Sequence, residues 1–151
     1  MLRVETANEA QTEAFGARLA AFLPGVHLIY VRGPLGAGKT TLVRGLLTGL
    51  GHTGPVTSPT FTMIEPYEVA GVALFHFDLY RIEDPAELEF LGLRDYLQSE
   101  NVCIVEWPER AGDVLPPPDL DVMIRSSNDR GRVLQLQAHS EIGEAALRAL
   151  E

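Results

Sequence analysis

Gly33-Pro34-Leu35-Gly36-Ala37-Gly38-Lys39-Thr40 satisfies the pattern G-x-x-x-x-G-K-[ST] in full. Immediately before it, His27 to Val31 is a short apolar run rich in β-formers, which predicts a buried strand. Immediately after it, Leu42, Leu46, Leu47 and Leu50 recur at helical spacing up to Gly51. A strand, a glycine-rich loop and a helix in that order make a cradle for phosphate. Glycines let the backbone approach an anion without a Cβ in the way, and the helix directs its positive end at the same point. Lys39 would reach the β- and γ-phosphates of a bound nucleotide and the Thr40 hydroxyl would ligate Mg²⁺.

Working outward, residues 7–22 place Ala10, Ala14, Leu19 and Phe22 at amphipathic spacing, and Pro24-Gly25 ends that helix. The segment 54–66 reads as a proline-punctuated loop feeding a strand, with a turn at Val69-Ala70-Gly71 and a return strand over 72–77. Asp84-Pro85-Ala86-Glu87 predicts a capped helix running to about Phe90. Val102 to Val105 is continuously apolar, as expected of a strand covered on both faces. Residues 113–119 form a stiff proline connector; 122–125 and 132–138 form strands around an Asn128-Asp129-Arg130-Gly131 turn; and 142–150 closes the chain as a helix. With no repeat or linker to divide it, the expectation is one P-loop domain over 1–151.

Such a site needs an acid at a neighbouring strand tip to hold Mg²⁺ or its water shell. Glu106, after the apolar run 102–105, is favoured for the metal, and Asp78, after a run interrupted by His76, for a nearby switch role. Thr57, Ser58, Thr60 and Thr62 make a hydroxyl-rich loop, either a γ-phosphate sensor or only an approach to a strand. His27, His52, His76 and His139 have no metal-ligand spacing, and Cys103 reads as an inert buried thiol. Trp107 is either core, a lining residue of the site or a contact for a partner.

Composition narrows the partners. The chain of 151 residues carries a formal charge of −9 with 46% apolar residues, and Lys39 is its one lysine. Autonomous grip on RNA or DNA, which rests on a basic surface, is disfavoured. A single cysteine excludes an internal disulfide. The absence of a signal-like N-terminus or a roughly 20-residue apolar run predicts a cytoplasmic protein with no membrane span.

Four stretches together resemble one family: the P-loop through Thr41; Ser58-Pro59-Thr60-Phe61-Thr62 with Glu65-Pro66-Tyr67; His76-Phe77-Asp78-Leu79-Tyr80-Arg81 with Glu87 to Gly92; and Val105-Glu106-Trp107-Pro108-Glu109. In this order they resemble the TsaE (YjeE) family, ATPases of bacterial tRNA threonylcarbamoyladenosine synthesis. The resemblance implies an α/β fold of the P-loop NTPase type, a three-layer sandwich with a mixed central sheet and helices on both faces. It implies weak ATPase activity, ATP and Mg²⁺ as cofactors, and a TsaB–TsaD heterodimer as partner. That complex modifies the adenosine beside the anticodon in tRNAs reading codons that start with A, and tRNA is met only through the partners. By position, Gly36, Ala37, Gly38, Lys39, Thr40 and Thr41 would bind ATP, and Thr40 and Glu106 would ligate Mg²⁺. Lys39, Thr60, Asp78 and Glu106 would form the catalytic set. Asn8 would lie near the adenine, and an arginine after the Asn128 turn would approach the nucleotide; two alignments admit Arg130 or Arg132, with Arg132 preferred. The rival readings are a small-molecule kinase, disfavoured by the lack of an arginine-rich lid, and a GTP switch, disfavoured by the lack of Asn-Lys-x-Asp.

Overall fold

Seven strands form one mixed sheet in the order β1-β7-β6-β2-β5-β4-β3. They are β1 (Leu2–Thr6), β2 (Leu28–Arg32), β3 (Ile64–Val69), β4 (Val72–Asp78), β5 (Asn101–Glu106), β6 (Leu120–Ser126) and β7 (Arg132–Ala138). This computed structural model describes residues 1–59, 62–98, 100–128 and 130–151. The expected apolar strand 27–31 becomes β2 at the centre, parallel to both β5 and β6. β4 pairs parallel with β5, while β3–β4, β6–β7 and β1–β7 are antiparallel. Pro66, which lacks a donor, sits in β3 at the sheet edge, where an unpaired N–H position is tolerated.

The helices α1 (Glu9–Leu19), α2 (Lys39–Leu50) and α5 (Glu141–Leu150) cover one face. Phe15, Leu19, Leu42, Leu46, Leu47 and Leu147 pack there against Ile29, Val31, Leu74, Ile104, Val122 and Leu134. The opposite face of β2, β4 and β5 buries Leu28, Tyr30, Phe77, Cys103 and Val105 under the short α3 (Ala86–Phe90) and α4 (Leu93–Tyr96). Helices thus lie on both faces, long ones on the side that faces the glycine loop. The alternation follows from the strand period of two, which sends Ile104 and Val105 to opposite cores.

Alpha1 and α2 approach backbone to backbone. A Cβ on Gly45 would stand 2.1 Å from the Glu13 carbonyl oxygen, and one on Gly16 would stand 2.4 Å from that of Leu42. Arg44 adds ion pairs from α2 to Glu9 and Glu13 of α1, at 3.0 and 2.9 Å.

The observed elements differ from expectation in a few places. The Asn8 side chain accepts from Gln11 N–H at 2.9 Å, so the first helix begins at Glu9 and finishes in a 3₁₀ turn, Ala20–Phe22. Asp84 accepts from Ala86 N–H at 3.0 Å, but α3 begins at Ala86, with Pro85 in the cap position and already helical in its angles rather than the first helical residue. Strand β1, helix α4 and a 3₁₀ turn over Pro108–Ala111 have no counterpart in the sequence reading.

At the rim where β2 begins, Asp119 Oδ2 accepts from the N–H groups of His27 (2.9 Å) and Leu28 (3.1 Å), and Oδ1 accepts from the Ser140 hydroxyl (2.7 Å). Burial alone would raise the Asp119 carboxyl. These donors, with the His27 ring at 3.3 Å, outweigh it and hold the group below its usual range. Ser140 in turn caps α5, accepting from Gly143 N–H at 3.1 Å.

Candidate nucleotide site

The glycine loop leaves the carboxyl end of β2, the rim where open α/β sheets bind ligands. Gly36 (φ 78°) and Gly38 (φ 103°) take left-handed backbone angles that a side chain would strain. Gly38 opens α2 without any side-chain cap, which leaves the first amides of that helix open to an anion rather than tied to a capping hydroxyl or carboxylate.

Two adjoining cavities share Gly38, Thr41 and Arg132 and make one cleft. The smaller, about 460 Å³, lies over the glycine loop: Gly36, Ala37, Gly38, Lys39, Thr40 and Thr41 line it together with Ser58, Asp78, Glu106 and Trp107. The larger, about 650 Å³, is lined by Asn8, Glu9, Thr12, Arg130 and Arg132 and has the room and position for a base and ribose. Of the residues given a part in the site from the sequence, Asn8, Gly36 to Thr41, Ser58, Asp78, Glu106, Trp107 and Arg132 line this cleft; Thr57 and Thr62 do not, and Thr60 lies outside the described residues.

Lys39 is 6% exposed. Its ammonium donates to the Gly33 carbonyl and to that of Pro34 (3.3 Å) and lies 4.2 Å from the centre of the Trp107 ring. Burial pulls the Lys39 ammonium below its ordinary range, opposed by the nearby Glu106, Asp78 and Glu109 carboxylates. Trp107 takes that position because its own backbone is left-handed (φ 57°, ψ 48°), a conformation costing about 1–3 kcal/mol in a non-glycine residue. Tyr80 packs on its ring at 5.0 Å between centroids.

The two candidate acids are neighbours: Asp78 and Glu106 are register partners on the parallel strands β4 and β5, and Glu106 is also the register partner of Val31 at the end of β2. Their environments differ. Asp78 Oδ2 accepts from the Ser58 hydroxyl (2.8 Å) and Oδ1 from Tyr80 N–H (3.0 Å), which ties it to the hydroxyl-rich loop. Glu106, 2% exposed, meets His76 Nε2 at 2.5 Å through Oε2. His76, which the sequence reading set aside with the other histidines, is thus brought against a candidate site acid. Its signal is the spacing of two from Asp78, which puts both side chains on the same face of β4.

Arg132 crosses to the loop: its Nε donates to the Ala37 carbonyl (2.6 Å) and Nη2 to that of Gly36 (3.4 Å). Arg130 lines only the larger cavity. Cys103 is buried in β5, donates to the Tyr96 carbonyl at 3.2 Å, and is pushed up by burial to about 12, as an inert thiol should be. Among the described residues, no three His, Cys, Asp or Glu side chains converge to hold a metal by themselves. One hydroxyl and one or two carboxylates beside a phosphate cradle do suit Mg²⁺, which keeps several waters and shares the phosphate oxygens. No helix among the described residues is long and apolar enough to cross a membrane.

The sheet order, the glycine loop between β2 and α2 and the acid at the tip of β5 define a P-loop NTPase-like α/β protein. The crystal structure of YdiB from Bacillus subtilis superposes with a TM-score of 0.85 and 33% identity, covering 99% of this chain and 93% of that one. A family model described as "Threonylcarbamoyl adenosine biosynthesis protein TsaE" matches residues 6–134. Proteins named tRNA threonylcarbamoyladenosine biosynthesis protein TsaE share 44% identity in Haemophilus influenzae, over 89% of this chain and 88% of that protein. Their counterpart in Bacillus subtilis shares 39%, over 91% and 85%. The chain belongs to the TsaE family.

Proposed function

We propose that this protein is a Mg²⁺-dependent ATPase that serves tRNA threonylcarbamoyladenosine synthesis in the cytoplasm, acting with a TsaB–TsaD heterodimer that itself engages the tRNA. The observation that carries the reading is the convergence of the capless α2 N-terminus, Lys39, Thr40 and Glu106 on one cavity of about 460 Å³. Within a single P-loop domain, amides from Gly36 to Thr41 bind the phosphates. Lys39 leaves its carbonyl partners to meet the terminal phosphate oxygens. Arg132 holds the loop carbonyls in place, and Asn8 with the larger cavity receives the base. Thr40 and Glu106 would hold Mg²⁺, which supplies charge neutralisation at the transferring phosphoryl group. Asp78 links the site to the Ser58–Thr60 loop through the Ser58 hydroxyl, so loop order can follow the state of the nucleotide. The formal charge of −9 fits a protein that leaves tRNA contact to others.

The test is a pull-down with purified TsaB–TsaD and ATPase rates with and without that pair. The reading expects capture and a partner-dependent change in turnover. Phosphoryl transfer to a metabolite, or preference for GTP over ATP, would remove it.

A further inference from the structure

Beta4 and β5 run parallel with His76 opposite Ile104, so His76 and Glu106 project from the same face one pleat apart. His76 is fully buried and Glu106 nearly so, yet a carboxylate removed from water needs a donor. Among the described residues one side-chain donor meets this carboxylate: the imidazole Nε2, 2.5 Å from Oε2. The other ring nitrogen, Nδ1, is buried with no hydrogen-bond partner among the described residues. A histidine kept for packing alone would be replaceable by any side chain of its size; this one spends a single polar contact, and spends it on Glu106.

We infer that His76 is a positioning residue: it locks Glu106 by one oxygen so that the carboxylate is fixed towards the metal position beside Thr40. This rests on the reading of Glu106 as a metal-holding group. Partners that orient a ligating group in this way typically matter about 10–100-fold in metal affinity. Because only Nε2 is engaged, glutamine, whose amide nitrogen falls near that position, should stand in for the imidazole. Leucine and the shorter asparagine should not.

The test measures Mn²⁺ affinity by electron paramagnetic resonance on ADP-bound protein, with ADP affinity in EDTA and thermal melting as controls. His76→Leu is expected to weaken Mn²⁺ binding by about 10–100-fold with metal-free ADP affinity unchanged, and His76→Gln to return it to within about threefold of wild type. Equal Mn²⁺ affinity in wild type and His76→Leu, or equal losses in the leucine and glutamine variants, would overturn the inference. Should the leucine variant not fold, the comparison of His76→Gln with His76→Asn decides in the same way. Glu106→Gln separates the two levels. Loss of Mn²⁺ binding there with none in the His76 variants defeats the positioning role alone, whereas unchanged binding in Glu106→Gln removes the metal assignment and the inference together.

Discussion

The two rims of the central sheet each bury carboxylates, and Asp119 at one and Glu106 at the other are used in opposite ways. At the rim where β2 starts, Asp119 gives both oxygens to donors of its own chain and joins His27, Leu28 and Ser140. At the rim where β2 ends, Asp78 and Glu106 border a cavity; Asp78 too gives both oxygens to its own chain, to Ser58 and Tyr80, whereas Glu106 has one oxygen engaged by His76. A buried acid whose acceptor capacity is used by the fold is part of the frame. One that keeps capacity towards open space is available for a ligand.

The sharpest way to break this contrast is at the ligand rim. Lys39→Ala removes the ammonium from the cradle and should lower ATP hydrolysis by 100-fold or more, since one transition-state contact is worth about 2.7–4 kcal/mol. Unchanged turnover in a steady-state phosphate-release assay would end the phosphate role. Glu106→Ala should cost hydrolysis on a similar scale while leaving nucleotide affinity nearly intact. Asp78→Ala should leave Mg²⁺ dependence alone and act through the Ser58 contact; Mg²⁺ titrations of both variants reveal whether the acids have been assigned the wrong way round.

At the frame rim, Asp119→Asn should lower stability by about 1.5–3 kcal/mol in denaturant unfolding, with activity per folded molecule preserved. The folded protein holds the Asp119 carboxyl below its usual value of about 3.9, so its contribution is present above that value and fades as pH falls through the lower, folded one. The difference between wild type and variant should therefore shrink in acid. Smaller again, Arg132→Ala should weaken ADP binding by about tenfold, one lost charged contact to the loop carbonyls being worth roughly 1.5 kcal/mol, while Arg130→Ala should do less. Calorimetric titration of both variants chooses between the two alignments.

Much of the ligand rim was legible because motif and periodicity coincide there. Gly33 to Thr40 fixes a loop, and the apolar runs on either side fix what the loop connects. Beta1 was missed although Leu2-Arg3-Val4-Glu5-Thr6 alternates, because five residues become a strand only when β7, some 130 residues later, pairs with them. Alpha4 is a single turn, too short for any helical period to emerge. His76 looked unremarkable because its partner is set by the parallel register of β4 on β5, a relation no local pattern encodes. The left-handed backbone of Trp107 is hidden for the same reason: tertiary contacts, not propensity, hold a tryptophan there.

The glycine contacts between α1 and α2 have a mechanical consequence. Asn8, beside the larger cavity, caps one helix of that pair, and the glycine loop opens the other; at Gly16 and Gly45 their backbones approach with no room for a side chain between them. On the function proposed above, both grips on a nucleotide therefore sit on one closely packed helix pair. A bound triphosphate would then signal outward through the Ser58–Asp78 contact at the end of β4 rather than by the two grips parting.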